Sequence, residues 1–188
     1  MKKKNVDVAV PEPKNVAVIP TLESIKNVTV KFKKRRDDAV IPSYAHDGDV
    51  GMDMTAVDVE YDAEHDLYIY HTGLSCETEQ GYGVFLFPRS SNCKTDAYLT
   101  NHVGIVDSAI YRGEIQFRYK NRKPYRKSFW EWLSGEVDGK RVFKYAPYDI
   151  GDRVGQMVVF PYPKVHIQEV DELSETERGT GGFGSTGK

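Results

Sequence analysis

Alternation with a period of two runs through much of the chain. Val28, Val30 and Phe32 alternate with Thr29, Lys31 and Lys33, and Ile115, Phe117 and Tyr119 alternate with Glu114, Gln116 and Arg118. Each is the pattern of a half-buried strand. Further strands are predicted over 67–71, 84–87, 99–106, 114–119, 142–145, 156–160 and 165–170, punctuated by Gly, Pro, Asp and Asn. Many short strands at such spacing predict an all-β sandwich or jelly roll. In Met52-Asp53-Met54 an acid stands between two apolar residues, so in a strand it points away from them and from the core. One segment breaks the rhythm. Ser128 and Glu131 have capping-box spacing and Gly135 can end a helix, which predicts one or two helical turns over 129–134. Asp138-Gly139 then suits a tight hairpin turn.

Candidate chemistry begins in the stretch 101–119. Gly104-Ile105-Val106 is small and apolar, and Asp107 follows at once. A carboxylate at the end of an apolar strand is placed to be partly desolvated and more basic. Ser108 to Arg112 reads as a turn, and Gly113 permits a tight backbone. Alone, the stretch is an ordinary hairpin with an acid in its loop.

Composition narrows the class. The 188 residues suffice for one sizeable core, and 39% hydrophobic residues with a mean hydropathy of -0.55 suit a soluble globular chain. Twelve Tyr and eight Phe without long apolar runs favour strands over a helical bundle. A net charge of -2 argues against a general or sequence-specific nucleic-acid binder. No run approaches the ~20 apolar residues of a membrane helix, and no signal-peptide core follows the basic start, so a cytoplasmic protein is expected. Cys76 and Cys93 lie 17 residues apart without a Cys-x-x-Cys, which suggests neither zinc nor a structural disulfide. Residues 1–26, interrupted by prolines, read as an N-terminal extension. Residues 120–147 hold Trp130 and Trp132 behind Arg122, Lys123, Arg126 and Lys127, and read as a surface insertion that packs its aromatics. Five of the eleven residues in 178–188 are glycine. A flexible arm of that kind frees backbone N–H groups to approach an anion.

Five segments stand in a fixed order: Gly51-Met-Asp53-Met-Thr-Ala56, Pro88-Arg89-Ser90-Ser91, 101–114, Gly151-Asp-Arg-Val-Gly-Gln156-Met157, and Arg178-Gly-Thr-Gly-Gly-Phe183-Gly-Ser-Thr-Gly187. Together they resemble the trimeric all-β dUTP diphosphatase (dUTPase) family over roughly 27–187, apart from the longer 120–147 insertion. The resemblance implies a jelly-roll β-barrel over 27–177 and a homotrimer in which the 178–188 arm of one subunit closes over a neighbour's site. It implies hydrolysis of dUTP to dUMP and pyrophosphate, keeping uracil out of DNA and supplying dUMP for thymidylate synthesis. In the family's roles, Asp107 would deprotonate water aimed at the α-phosphorus. Mg²⁺ would be held mainly by the phosphates, with Asp53 reaching it through water. Arg89, Ser90, Ser91 and Gln156 match phosphate-holding positions, and Arg178, Ser185 and Thr186 would bind the β/γ end. Phe183, beside Gly184, would stack on uracil. Asn101 and Gly104 belong to the base-holding hairpin, and Tyr111 would lie under the deoxyribose and exclude a 2′-hydroxyl.

Two alternatives share the resemblance. A dCTP deaminase has the same fold and an Arg-Ser-Ser motif, but that family uses a glutamate five residues after the hairpin glycine, where this chain has Arg118. A regulatory, protein-binding member would use the 120–147 insertion as its partner surface. One irregularity stands out: Tyr111 lies four residues after Asp107, whereas the family usually has three. The added residue suggests a bulge in the tip.

Overall fold

The computed structural model describes residues 27–122, 133–137, 140–143 and 145–181. The 1–26 extension, most of the 120–147 insertion and the arm beyond 181 lie outside the described residues. Twelve strands are described: β1 (Val30–Lys34), β2 (Met52–Thr55), β3 (Asp58–Asp62), β4 (Leu67–His71), β5 (Leu74–Thr78), β6 (Tyr82–Phe87), β7 (Ala97–Leu99), β8 (Gly104–Val106), β9 (Gln116–Asn121), β10 (Leu133–Val137), β11 (Lys140–Phe143) and β12 (Arg153–Pro161). They form two four-stranded sheets, ordered β2-β12-β6-β8 and β3-β4-β9-β7, and two pairs, β1-β5 and β10-β11. Every strand pairing is antiparallel. The expected all-β class is therefore present.

The two larger sheets enclose one core. Met54, Val84, Leu86, Val106, Val154 and Met157 from the first sheet share a buried cluster with Val59, Tyr68, Tyr70, Leu99, Phe117 and Tyr119 from the second. A Cβ at Gly155 would overlap the Phe117 ring, so this glycine is what lets β12 approach β9. Buried tyrosines satisfy their hydroxyls on the chain that closes the sandwich. Tyr119 Oη donates to Val154 O at 2.8 Å, and Tyr70 Oη donates to Tyr148 O at 3.0 Å.

Several elements differ from the sequence expectation. The run 99–106 is broken: β7 and β8 belong to different sheets, and His102 sits at φ 60 in the turn between them. The segment 165–170 forms no strand, and Val165 and Ile167 stand 71% and 94% exposed; among the described residues no strand pairs with them. Leu133 and Ser134 begin β10 rather than ending a helix; residues 129–132 of that expected helix lie outside the described residues. The hairpin reading of Asp138-Gly139 fits the strands on either side, since Val137 pairs with Lys140. β3 and β5 were not expected. The cysteines are free as read, Cys76 buried and Cys93 exposed.

Candidate active site

Asp107 leaves the end of β8 and opens a tight turn. Ile110 N and Tyr111 N both donate to Asp107 O, at 2.8 and 2.7 Å. The added residue is thus absorbed in a five-residue turn closed from 107 to 111, rather than in the strand bulge its count suggested. Ser108 is buried, and its hydroxyl meets Thr78 Oγ1 at 2.5 Å. The Tyr111 ring folds back over Gly113, where a Cβ would collide with it, and its hydroxyl donates to Glu114 O at 3.3 Å. Gly113 is required here by this close approach.

A cavity of about 360 Å³ opens beside the turn, walled by Asn101, Gly104, Asp107 and Tyr111 together with Thr100, Glu114, Gln116 and Arg118. Pockets of this order accept small organic ligands. Three expected nucleoside-binding residues and the expected base, from separate parts of the hairpin, therefore converge. Asp107 itself is exposed in the single chain. The partial desolvation expected from sequence is absent there, because the strand it follows covers only one side of it. Arg118, counted from Gly113 as the divergent position, lines this same cavity.

Behind the cavity, Glu114 accepts from the Gly73 amide at 2.8 Å and lies 2.9 Å from His71 Nδ1. Burial opposes ionisation of Glu114, but the bonds from His71 and Gly73 together outweigh it and hold the carboxyl below its ordinary value.

A second cluster gathers the residues expected to hold phosphates. On the first sheet Gln156 pairs with Asp53 on one side and with Phe87 on the other. Asp53 points outward, opposite to buried Met54, as its pattern required. Arg89, just past β6, donates through Nε to Asp53 Oδ1 at 2.6 Å and through Nη1 to Ser91 Oγ at 3.3 Å. Ser90 begins the short 3-10 turn that follows. A Cβ at Gly51 would come within 2.8 Å of Gln156 Oε1, so the first glycine of that motif makes room for the amide. Sequence reasoning missed Arg153, which donates through Nη1 to the other Asp53 oxygen at 3.0 Å. Its position inside the fourth motif was the available signal. Among the described residues no group of three His, Cys, Asp or Glu is placed to hold a metal. Both oxygens of Asp53, the expected water-mediated metal contact, are bonded by arginines in the single chain.

The two clusters do not meet within the chain. Val84 pairs with Val106 and Leu86 with Gly104. Asp107 therefore leaves β8 toward the Tyr82 end of β6, while Arg89 lies past its Phe87 end, on the order of 20 Å apart at ~3.3 Å per residue. Arg178 joins neither: its Nε bonds Gly181 O at 2.8 Å in a turn of the exposed segment that follows β12. Phe183, Gly184, Ser185 and Thr186 lie outside the described residues. Between the clusters, the outward face of the first sheet is apolar. Phe85 and Phe160 stack edge-on at 5.4 Å, and Ile105 is 69% exposed.

Comparison with known proteins gives one answer. A family model described as dUTPase matches residues 37–126 and 143–187. The deoxyuridine 5'-triphosphate nucleotidohydrolase of Alkaliphilus metalliredigens is 36% identical over 159 residues, covering 84% of this chain and 96% of that protein. The enzyme of the same name from Clostridium tetani is 36% identical over 163 residues, covering 85% and 97%. Among solved structures, a Staphylococcus bacteriophage 80alpha dUTPase with dUPNHPP aligns at a TM-score of 0.65 with 25% identity, covering 85% of this chain and 99% of that one. The dUTPase from phage phi11 of S. aureus, whose structure is described as showing a species-specific insert, aligns at 0.57 with 20% identity, covering 79% and 99%.

Proposed function

The chain belongs to the dUTPase family, and from that premise we propose that it hydrolyses dUTP to dUMP and pyrophosphate through the two clusters described above. The observation that carries this reading is the convergence of Asp107, Asn101, Gly104 and Tyr111 on one nucleoside-sized cavity. Asp107 takes a proton from water as its oxygen bonds to the α-phosphorus and the bridge to the β-phosphate breaks. Asn101 and the hairpin backbone hold uracil by its pairing edge. A cytosine there would set an amino donor against backbone donors and leave buried groups unpaired. Tyr111 lies under the deoxyribose. Arg89, Ser90, Ser91 and Gln156 hold phosphate oxygens, where charge-assisted bonds are strong. Arg178, Ser185 and Thr186 close on the β/γ end, with Phe183 and Gly184 over the base. Asp53 would hold Mg²⁺ through a water, and the ion would supply partial neutralisation of the triphosphate charge. The outcome in the cell is removal of dUTP before it enters DNA and provision of dUMP for thymidylate synthesis, in the cytoplasm, or the host's if the chain is viral.

A homotrimer completes the site. The separation of the clusters along β6, the apolar outer face between them and the exposed post-β12 segment all support assembly in which one copy's cavity faces another's arginines. A separate reading applies to the insertion: β10 and β11 form a sheet of their own, and we assign them as a surface for a protein partner.

The test is release of pyrophosphate from dUTP. Asp107→Asn should retain dUTP binding and trimer mass and lose turnover by about 10²-fold or more. Normal turnover in that variant removes Asp107 as the base. Ammonia release from dCTP would instead identify a deaminase, a role to which Arg118, a permanently charged guanidinium in the cavity wall, is poorly suited as a proton shuttle.

A further inference from the structure

We propose that Arg112 is the positioning residue that sets sugar discrimination in this chain, by holding the enlarged 107–111 turn to β5. The inference rests on reading the Asp107 cavity as the nucleoside site. The turn's backbone N–H groups converge on Val106 O and Asp107 O. The carbonyls further round the turn face Arg112 instead. Its Nη1 donates to Ser108 O at 2.9 Å and Tyr111 O at 3.0 Å, and its Nη2 to Ala109 O at 3.2 Å. The same Nη2 binds Glu77 Oε2 at 2.9 Å, and Glu77 is itself held by Lys31. The Arg112 carbonyl accepts from Ser75 Oγ at 3.1 Å and Arg35 Nη1 at 3.3 Å.

Both ends of this residue are therefore fixed to β5, with Arg35 just past β1 adding to the carbonyl end, and Ser108 is pinned to β5 through Thr78. The added residue lengthens the turn and exposes more backbone to be satisfied. One planar guanidinium gathers three carbonyls and a carboxylate, which an ammonium cannot do with the same geometry. Tyr111 hangs from this turn with its ring folded over Gly113 and 47% exposed. The bond from its hydroxyl to Glu114 O fixes the far end of the ring and the turn fixes the near end, so the position of the turn decides whether a 2′-hydroxyl fits.

The experiment is the ratio of dUMP to UMP affinity, measured by calorimetry on the full-length protein without added metal, beside a thermal midpoint and a mass measurement. Arg112→Lys keeps a charge near Glu77 but loses the fork. It should lower the dUMP preference by about tenfold or more with assembly intact. Glu77→Gln, which loosens the guanidinium and leaves the cavity wall untouched, should move the ratio in the same direction and serves if Arg112→Lys fails to fold. A wild-type ratio in a folded variant of either kind, with only a lower midpoint, overturns the proposal and leaves Arg112 a purely structural strut. Wild-type protein that binds neither nucleotide defeats the nucleoside reading itself, and the inference with it.

Discussion

Glu114 is a carboxylate in the cavity wall that burial disfavours and two hydrogen bonds retain. A carboxyl held below its unfolded value contributes stability that is present above that value, ~4.3 for glutamate, and lost as pH falls through the folded one. Glu114→Gln should therefore be less stable than the parent at neutral pH, and the two should converge as pH drops below about 4. Chemical denaturation across that range checks it; a constant difference down to the lowest pH would remove the His71 and Gly73 bonds as the cause. Asp107, Asp53, Arg89 and Gln156 could be nominated from sequence because each sits in a short local motif. Glu114, Arg112 and Arg153 were not, because their partners lie far along the chain: His71 is 43 residues from Glu114, Glu77 is 35 from Arg112 and Asp53 is 100 from Arg153. Only folding brings such pairs together.

Strands were legible where apolar residues alternate with neutral or basic ones, as in β1 and β9, or form a short apolar run, as in β4. β5 escaped because its buried positions include Ser75 and Thr78. Their hydroxyls are satisfied by Arg112 O and Tyr82 O, so polar residues occupy places where a pattern search requires apolar ones. β3 escaped because it carries Asp58, Glu60 and Asp62 at the edge of its sheet, where charge also discourages a further strand from pairing. The opposite error occurred at 165–170, which has strand-forming residues but no pairing partner among the described residues. The β10–β11 pair forms a separate sheet, and deleting 124–146 tests its independence. Turnover and trimer mass should survive that deletion; loss of activity with it would tie the insertion to catalysis and remove its assignment as a separable partner surface.

For the whole molecule, the informative quantity is the distance along β6 between Asp107 and Arg89. If sites form between copies, Asp107→Asn and Arg89→Ala chains, each inactive alone, should restore activity when co-expressed. Random mixing leaves about a quarter of the sites with both residues intact. Pyrophosphate release from purified mixed trimers measures it, and no recovery would mean that each chain carries its own complete site. The all-β sandwich was legible in the sequence. A site shared between copies was expected from the resemblance alone; the proposed split between Asp107 and Arg89 was not legible, because linear spacing says nothing about which end of a strand a motif occupies.

That division has a genetic consequence. A chain that lends its carboxylate to one site and its arginine to another is present in more than one catalytic centre. With sites shared between copies, one copy defective at both positions would silence about two of the three centres in its trimer, and two such copies all three. Such an allele would act dominantly over an intact one, whereas an allele that only prevents folding would be recessive.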